Sequence, residues 1–364
     1  MAFSPNKPYD ELPLLPPSPE AYENVDVYRK LARSRASLAE LKGRLPVIPN
    51  PLMLINTLVL QEARDSSSIE NIFTTNDKLF RAFASGNAGA DPATKEVLRY
   101  REALWEAYGR LEENGDWSAK LTIAIFQKIT GKDETLRDKQ NYIVAPNVTI
   151  YTPPSPGETL KAKLDNFFEY IHAEDGVDPL IKLAIMHYQF EAIHPFSDGN
   201  GRTGRILSVL YLTRMDLLEL PVLYLSKYIV EFKRDYYRLL EGVTVNGEWA
   251  NWILYMLEAI EQTARFTLDK VNAIYALLNE IKAQIQREAG DIYSYELLEV
   301  LFSQPYCKIG ILLDKGIASR NTASKYLKRL AALGILSEIK EGRETLFLNK
   351  RLYELLGGNT IHAQ

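Results

Sequence analysis

Apolar residues recur every three or four positions along most of the chain, and this spacing is typical of amphipathic helices. In residues 95–111, for example, Val97, Leu98, Leu104 and Leu111 stand among charged residues at helical intervals. Short breaks at Gly, Asn or Pro separate further helical segments as far as about residue 285. Strands and helices do not alternate along the chain, so we expect a mainly α fold rather than a doubly wound α/β sheet.

Two segments depart from the helical pattern. Six prolines in residues 1–20 block regular structure and predict an extended arm. Residues 141–154 are rich in β-branched and aromatic side chains and contain an Ala-Pro-Asn turn signal. This second segment predicts a short hairpin or an extended flap.

The residues after about 285 show a third pattern. Three short helical runs with tight breaks precede two short predicted strands around Glu341, Gly342 and Arg343. This order is typical of a winged helix-turn-helix. The chain is therefore predicted to contain an N-terminal arm and helical region (1–110), a helical core (111–284) and a winged helix-turn-helix domain (285–364).

Composition narrows the class of protein. The 364 residues carry a formal net charge of −4, which argues against binding of polyanions along the whole chain. The single cysteine excludes an intramolecular disulfide and a thiolate metal cluster, and the four histidines show no HExxH spacing. The longest apolar stretch falls well short of the roughly 20 residues that span a bilayer. Because the N-terminus also lacks the layout of a signal peptide, we expect a cytoplasmic protein without a membrane partner.

The densest chemistry lies in residues 194–205, which read HPFSDGNGRTGR. Their GxGxxG spacing matches a dinucleotide fingerprint, but that fingerprint requires a preceding strand. Here the preceding residues place Leu183, Met186, Phe190 and Ile193 at steps of three or four, as in a buried helix. A second apolar run follows, so the pattern predicts a helix, a Gly-rich loop and another helix.

The residue types in this loop favour the binding of phosphate. Gly199 and Gly201 permit a close approach of backbone N–H groups to an anion. The N-terminus of the next helix adds its dipole and its free N–H donors. Asn200 can donate its amide, and Arg202 and Arg205 supply two guanidinium groups for phosphate oxygens.

Two further side chains add reactivity to the loop. Asp198 is its only carboxylate and suits Mg²⁺, which takes one or two protein carboxylates together with phosphates. A neutral imidazole at His194 can accept a proton from a hydroxyl group. Taken singly, the histidine fits a helix cap and the arginines fit ion pairs with acidic neighbours such as Glu191. Their joint occurrence within twelve residues favours the chemical interpretation.

The same stretch resembles the signature HxFx(D/E)GNGRxxR of the Fic family of nucleotide transferases, and every specified position is matched. The resemblance implies transfer of AMP from ATP to a hydroxyl side chain of a target protein, which includes the chain itself, with release of pyrophosphate. It implies that His194 is the general base and that Asp198 holds Mg²⁺. The residues it assigns to the nucleotide phosphates are Gly199, Asn200, Gly201, Arg202, Thr203, Gly204 and Arg205.

The resemblance also assigns roles around the loop. The flap residues expected to align the target segment by strand-like pairing are Val148, Thr149, Ile150 and Tyr151. Tyr237 and Trp249, together with Tyr236, lie where the family builds its adenine pocket, although plain core packing explains them equally well. Core-to-core contacts are common in the family, which makes a homodimer a further expectation.

A second motif lies at residues 66–71, before the core. Ser66, Glu70 and Asn71 match the family's inhibitory motif (S/T)xxxE(G/N). The resemblance implies that Glu70 pairs with Arg205 and so occupies the guanidinium that should receive the γ-phosphate of ATP. Some relatives use the equivalent glutamate to remove AMP, and the sequence leaves both directions open.

Other functions remain open at this point. Nine basic and three acidic residues lie between Lys315 and Arg351, which fits a winged helix that binds DNA, a partner protein or a second subunit. A transcription regulator whose helical domain senses a nucleotide is therefore the rival hypothesis. Transfer of UMP, phosphocholine or phosphate on the same fold is a third alternative.

Overall fold

The computed structural model describes residues 3–47, 51–87, 89–115, 117–146, 148–341 and 344–357. Among the sequence features above, Asn147 of the flap turn, Gly342 and Arg343 between the last strands, and His362 lie outside the described residues. Most of the described chain is helical, which confirms the predicted fold class.

The helices are α1 (Val25–Arg44), α2 (Pro51–Ile69), α3 (Asn76–Ala84), α4 (Pro92–Asn114), α5 (Ala119–Thr130), α6 (Glu158–His172), α7 (Pro179–Ile193), α8 (Asn200–Arg214), α9 (Leu225–Glu231), α10 (Lys233–Asn246), α11 (Trp249–Glu288), α12 (Tyr295–Ser303), α13 (Ile309–Asp314), α14 (Arg320–Ala332) and α15 (Lys350–Leu356). The strands are β1 (Ile143–Ala145), β2 (Val148–Tyr151), β3 (Tyr306–Cys307), β4 (Ser337–Glu341) and β5 (Glu344–Leu348). In the described residues, no helix is both long enough and apolar enough to span a bilayer.

Helices α7 and α8 form the centre of the core. Almost every residue of both helices is buried, so neither has the polar face of a surface helix. The 40-residue helix α11 packs against both α1 and α7. Trp252 on α11 donates its indole N–H to the carbonyl of Ala184 on α7 at 2.7 Å. The functional loop between α7 and α8 is therefore anchored by two fully enclosed helices.

Helix α2 runs through Ser66 and ends at Ile69. Ser66 and Ser67 are completely buried, and Lys233 donates to the carbonyl of Ile69, the last residue of the helix, at 2.7 Å. Tertiary packing thus continues the helix through a run of serines that has weak helix propensity.

The predicted flap is an antiparallel hairpin of β1 and β2. The N-terminal arm packs against the base of this hairpin, where the N–H of Tyr9 donates to the carbonyl of Thr152 at 3.0 Å. Phe3 stacks on Tyr151, with ring centroids 5.8 Å apart, and Tyr9 packs edge-on against both rings. The arm is therefore part of the packing around the flap.

Three short helices, α12 to α14, precede the antiparallel pair β4 and β5, as the C-terminal pattern predicts. The short strand β3 adds to the other edge of β5, which gives the order β3-β5-β4. Helix α11 continues without a break to Glu288, and α15 returns to pack on α2. The C-terminal segment is thus joined to the core by a continuous helix and touches the helix that carries Ser66.

Candidate functional site

The functional loop begins where α7 ends in a left-handed residue. His194 has φ 50° and ψ 60°, and its N–H bonds to the carbonyl of Phe190 at 3.0 Å. Gly199 has φ 67° and lies directly before α8, in a conformation that favours glycine. These two left-handed residues reverse the chain, so that the predicted helix, loop and helix are all present.

The side chain of Asn200 holds the loop in shape. Its Oδ1 accepts from the N–H of Phe196 at 2.8 Å, and its Nδ2 donates to the carbonyl of Phe196 at 2.9 Å. Phe196 in turn stacks on Phe126 with ring centroids 4.4 Å apart. The Asn200 amide is therefore used within the loop, and its backbone N–H is the group that can serve an anion.

Arg137 is a part of the site that the sequence did not reveal. It is 5% exposed, and its Nε donates to the carbonyl of His194 at 2.9 Å. Its Nη2 donates to the carbonyl of Pro154, and its own N–H bonds to the carbonyl of Pro195 at 2.9 Å. One buried guanidinium thus joins the histidine turn to the end of the flap. No motif marks Arg137, because its partners are backbone carbonyls elsewhere in the chain.

The imidazole of His194 is neutral and has a ring nitrogen that can accept a proton. Burial lowers the pKa of His194 to about 4, so the imidazole is uncharged at neutral pH. Its Nδ1 lies 3.3 Å from the carbonyl of Glu191, a contact in which Nδ1 carries the proton and donates. The other ring nitrogen, Nε2, then keeps its lone pair and can accept a proton.

The first turn of α8 has free N–H donors and room above Gly201, which suit an anion. The first N–H groups of a helix have no partner within that helix, and the helix dipole adds positive charge there. A Cβ on Gly201 would collide with Oε1 of Glu70 and would lie 2.8 Å from Nη1 of Arg205. Only glycine leaves room for a charged group at this point, and the carboxylate of Glu70 lies against it.

Arg205 is buried to 1% exposure and binds the end of α2. Its Nε donates to Oγ of Ser66 at 2.8 Å, and its Nη2 donates to Oε1 of Glu70 at 2.9 Å. Asn71 follows with φ 61°, a left-handed turn that ends the helical segment beside Glu70. The structure therefore brings the two distant motifs into direct contact.

Arg202 pairs with Glu96 on α4, a residue that the sequence did not single out. Its Nη1 donates to Oε1 of Glu96, and its Nη2 lies 3.7 Å from Oδ1 of Asp198. Arg202 is 2% exposed and its Nε has no partner in the described residues. The acidic partners are thus Glu96 and Asp198 for Arg202 and Glu70 for Arg205, and not the neighbouring Glu191.

Asp198 is suited to a hard cation. Its side chain is 58% exposed, and its Oδ1 accepts from the N–H of Gly199 at 2.6 Å. The described residues contain no group of three or more His, Cys, Asp or Glu side chains that could hold a metal by themselves. One carboxylate beside a phosphate site nevertheless fits Mg²⁺, since this ion completes its octahedron with phosphate oxygens and water.

The other residues assigned to the nucleotide differ in exposure. Thr203 and Tyr236 are buried, and the hydroxyl of Tyr236 bonds to Nε2 of His187 at 2.8 Å. Trp249 packs edge-on against Tyr188 with ring centroids 4.9 Å apart. Tyr237 is 42% exposed and is therefore the aromatic residue of this group with the most accessible surface.

Both ends of the flap are tied to the functional loop. The hydroxyl of Tyr151 donates to the carbonyl of Ala192 at 2.8 Å, two residues before His194. Asn141 Nδ2 donates to the carbonyl of Phe196 at 2.8 Å. Of the remaining flap residues, Val148 and Ile150 are exposed and Thr149 is half-buried. The hairpin thus stands beside the histidine with apolar side chains facing outward.

Three family descriptions match consecutive parts of the chain. Residues 28–109 match the Fic/DOC family N-terminal description, and residues 115–212 match the Fic/DOC family itself. Residues 277–352 match the C-terminal domain of "Protein adenylyltransferase SoFic-like". The central match contains the whole functional loop.

Curated relatives align with part of the chain. "Protein adenylyltransferase Fic" of Culex quinquefasciatus is 31% identical over 171 residues, which is 46% of this chain and 33% of that protein. "Protein adenylyltransferase fic-1" of Caenorhabditis elegans is 36% identical over 113 residues, which is 30% of this chain and 21% of that protein. The alignments therefore span only a fifth to a third of these relatives' own lengths.

Solved structures share the fold over a longer range. A Fic family protein from Desulfovibrio desulfuricans G20 superposes with a TM-score of 0.58 at 20% identity, covering 92% of this chain and 98% of that one. Fic-1 from C. elegans gives a TM-score of 0.53 at 21% identity, covering 68% and 74% of the two chains.

Proposed function

The chain belongs to the Fic/DOC family, and on this premise we propose that it is a protein adenylyltransferase that moves AMP from ATP to a hydroxyl side chain of a target protein. The observation that carries the proposal is the convergence of three features: the neutral His194, the open first turn of α8 above Gly201, and the buried Arg205. A base, an anion site and a fixed positive charge are the elements that phosphoryl-type transfer requires.

In the proposed reaction, the neutral imidazole of His194 is the general base. Nε2 takes the proton of a Ser, Thr or Tyr hydroxyl of the target, and the hydroxyl oxygen attacks the α-phosphorus of ATP. The bond from the α-phosphorus to the bridging oxygen breaks, and pyrophosphate leaves with that electron pair. Because burial keeps the pKa of His194 near 4, the base is available across the neutral range.

Charge on the nucleotide is balanced by groups of α8. The free N–H groups of its first turn and the guanidinium of Arg205 face the phosphates. Arg202 is held in place by its ion pair with Glu96. Asp198 would hold Mg²⁺, which supplies further positive charge to the phosphates. Fixed donors of this kind stabilise developing charge without reorganising during the reaction.

The contact between Glu70 and Arg205 supports an autoinhibited resting state. Glu70 occupies Nη2 of Arg205 and the space above Gly201, which are the positions that a terminal phosphate needs. We infer that ATP binds unproductively until Glu70 moves away. Removal of AMP with the help of Glu70 is the alternative direction on the same geometry.

The flap supports docking of the target segment. Val144, Val148 and Ile150 expose 65%, 61% and 46% of their surface on the hairpin beside the functional loop. A target strand that pairs with an edge of this hairpin would have its hydroxyl held near His194 by main-chain hydrogen bonds.

The test is transfer of label from ATP that carries it on the α-phosphate. The parent, Glu70→Gly and Glu70→Gly/His194→Ala chains are incubated with Mg²⁺, alone and with cell lysate. We expect label on protein with Glu70→Gly and none with Glu70→Gly/His194→Ala. Absence of label with folded Glu70→Gly protein would refute the proposal for ATP, and the same assay with labelled UTP or CDP-choline would then test other donors.

A second function is favoured by the outward face of α14. Arg320, Lys325 and Lys328 are exposed on this helix, whereas Arg329 pairs with Asp291 at 2.6 Å. We infer that α14 is the recognition helix of a winged helix-turn-helix and contacts DNA phosphates.

Binding of the full chain to a DNA duplex tests this second function. Affinity should fall steeply between about 50 and 200 mM salt. It should also fall in Lys325→Glu/Lys328→Glu but not in Lys161→Glu, an exposed lysine on α6. If the two variants bind DNA equally well, or if the parent chain does not bind DNA, then α14 is not a DNA-recognition helix.

A further inference from the structure

Glu191 has a buried carboxylate oxygen that the mechanism above does not use. It lies in the last turn of α7, three residues before His194, and its carbonyl faces Nδ1 of that histidine. Its Oε1 is buried and has no hydrogen-bond partner among the described residues. A buried acceptor without a donor is unfavourable, so a ligand that donates a hydrogen bond to this oxygen would be stabilised.

The neighbours of Glu191 show where a ligand could donate to it. Its Oε1 would lie 2.6 Å from a Cβ on Gly204, which sets the carboxylate against the first turns of α8. The ionisation of Glu191 is coupled electrostatically to Arg205 and Glu70, and the ionisation of Tyr236 and of Tyr237 is coupled to Glu191.

Within the part of the chain that the structure describes, no neighbour donates to Oε1 of Glu191. The Nε and Nη2 atoms of Arg205 bind Ser66 and Glu70, and the hydroxyl of Tyr236 bonds to His187. Burial raises the pKa of Glu191 to about 7, which agrees with a carboxyl group that the protein itself leaves unsatisfied.

A bound nucleotide offers two kinds of donor to such a group. Phosphate oxygens and a carboxylate repel each other, so the donor is a ribose hydroxyl or the amino group of the base. Along a nucleotide the ribose lies between the phosphates and the base. Oε1 of Glu191 is in contact range of Gly204, directly after the first turn of α8, so the ribose, which follows the phosphates, is the part that reaches it.

We propose that Glu191 accepts a hydrogen bond from a ribose hydroxyl of the bound nucleotide and so selects ribonucleotides over deoxynucleotides. The inference rests on the proposed function, because it assumes that the nucleotide phosphates occupy the first turn of α8. It adds a specificity-determining residue outside the loop of residues 194–205.

The experiment measures nucleotide selectivity in the uninhibited Glu70→Gly chain. Label transfer is compared for ATP, 2′-deoxy-ATP and 3′-deoxy-ATP in Glu70→Gly, Glu70→Gly/Glu191→Ala and Glu70→Gly/Glu191→Gln. We expect the Glu70→Gly chain to prefer ATP over one deoxy analogue by about 10- to 100-fold in kcat/KM. Glu191→Ala should abolish that preference by reducing only the use of ATP, and Glu191→Gln should retain part of it. Glu169→Ala, which removes an exposed glutamate of α6, is the matched control and should leave the preference unchanged.

Binding separates this inference from the proposed function. Calorimetric titration of Glu70→Gly/His194→Ala with the same three nucleotides needs no transfer, so it gives the ribose preference even if no label is ever incorporated. Equal affinity for ATP and both deoxy analogues would overturn the role of Glu191. Equal losses for all three nucleotides in Glu191→Ala would also overturn it, because the residue would then support the fold and not the ribose.

Discussion

Loss of the Glu70 carboxylate should convert a resting enzyme into an active one. In the structure this group binds Nη2 of Arg205 at 2.9 Å and lies against Gly201 at the start of α8. A hydrogen bond between charged groups contributes about 1.5–3 kcal/mol, and the helix N-terminus adds about 0.3–1 kcal/mol. Since tenfold corresponds to about 1.4 kcal/mol, removing the competitor should raise productive use of ATP by about 20- to several hundred-fold.

The assay follows label transfer at a series of ATP concentrations for four chains. Glu70→Gly removes both the charge and the volume, whereas Glu70→Gln removes the charge and keeps the volume. We therefore expect the order of activity Glu70→Gly, then Glu70→Gln, then the parent. Ser66→Ala is the matched control, because it deletes another partner of Arg205 without deleting a negative charge, and it should change activity only severalfold.

Two results would refute this reasoning. If Glu70→Gly is folded, binds ATP and transfers no more label than the parent, then the contact with Arg205 does not limit activity. If Ser66→Ala activates as strongly as Glu70→Gly, then general loosening of α2, and not the carboxylate, is responsible. Thermal unfolding of each chain shows whether stability was preserved.

Three further predictions concern the same site. In Glu70→Gly/Glu191→Gln, where the carboxyl of Glu191 no longer titrates, the rate should stay constant as pH falls from 8 to about 5 and drop only near the lowered pKa of His194, about 4; a midpoint near 6.5 in the pH profile would contradict a neutral base at His194. Arg137→Met should lower kcat at least tenfold and lower the melting temperature, because it leaves the carbonyls of His194 and Pro154 without their buried donor. Glu96→Gln should raise KM for ATP about tenfold with little change in kcat, since a neutral amide holds Arg202 less firmly; an unchanged KM would mean that this pair serves only the fold.

The sequence by itself determined the features that depend on neighbours along the chain. The spacing of apolar residues required helices on both sides of residues 194–205, and Gly199 and Gly201 marked where the backbone must turn and open. The resemblance of two short motifs also predicted that Glu70 would meet Arg205, and the structure brings them to 2.9 Å. The helices and the loop can be predicted because their residues are contiguous, and the contact can be predicted because each motif is contiguous and the family resemblance relates the two.

Only the tertiary structure decided which side chains support the reactive ones. Arg137 reaches His194 across 57 residues, Glu96 reaches Arg202 across 106, and the arm reaches the flap across more than 140. These contacts produce no periodicity and no motif, because each joins single groups on separate elements. The low pKa of His194 and the unpartnered oxygen of Glu191 likewise arise from burial, which depends on how every helix around α7 packs.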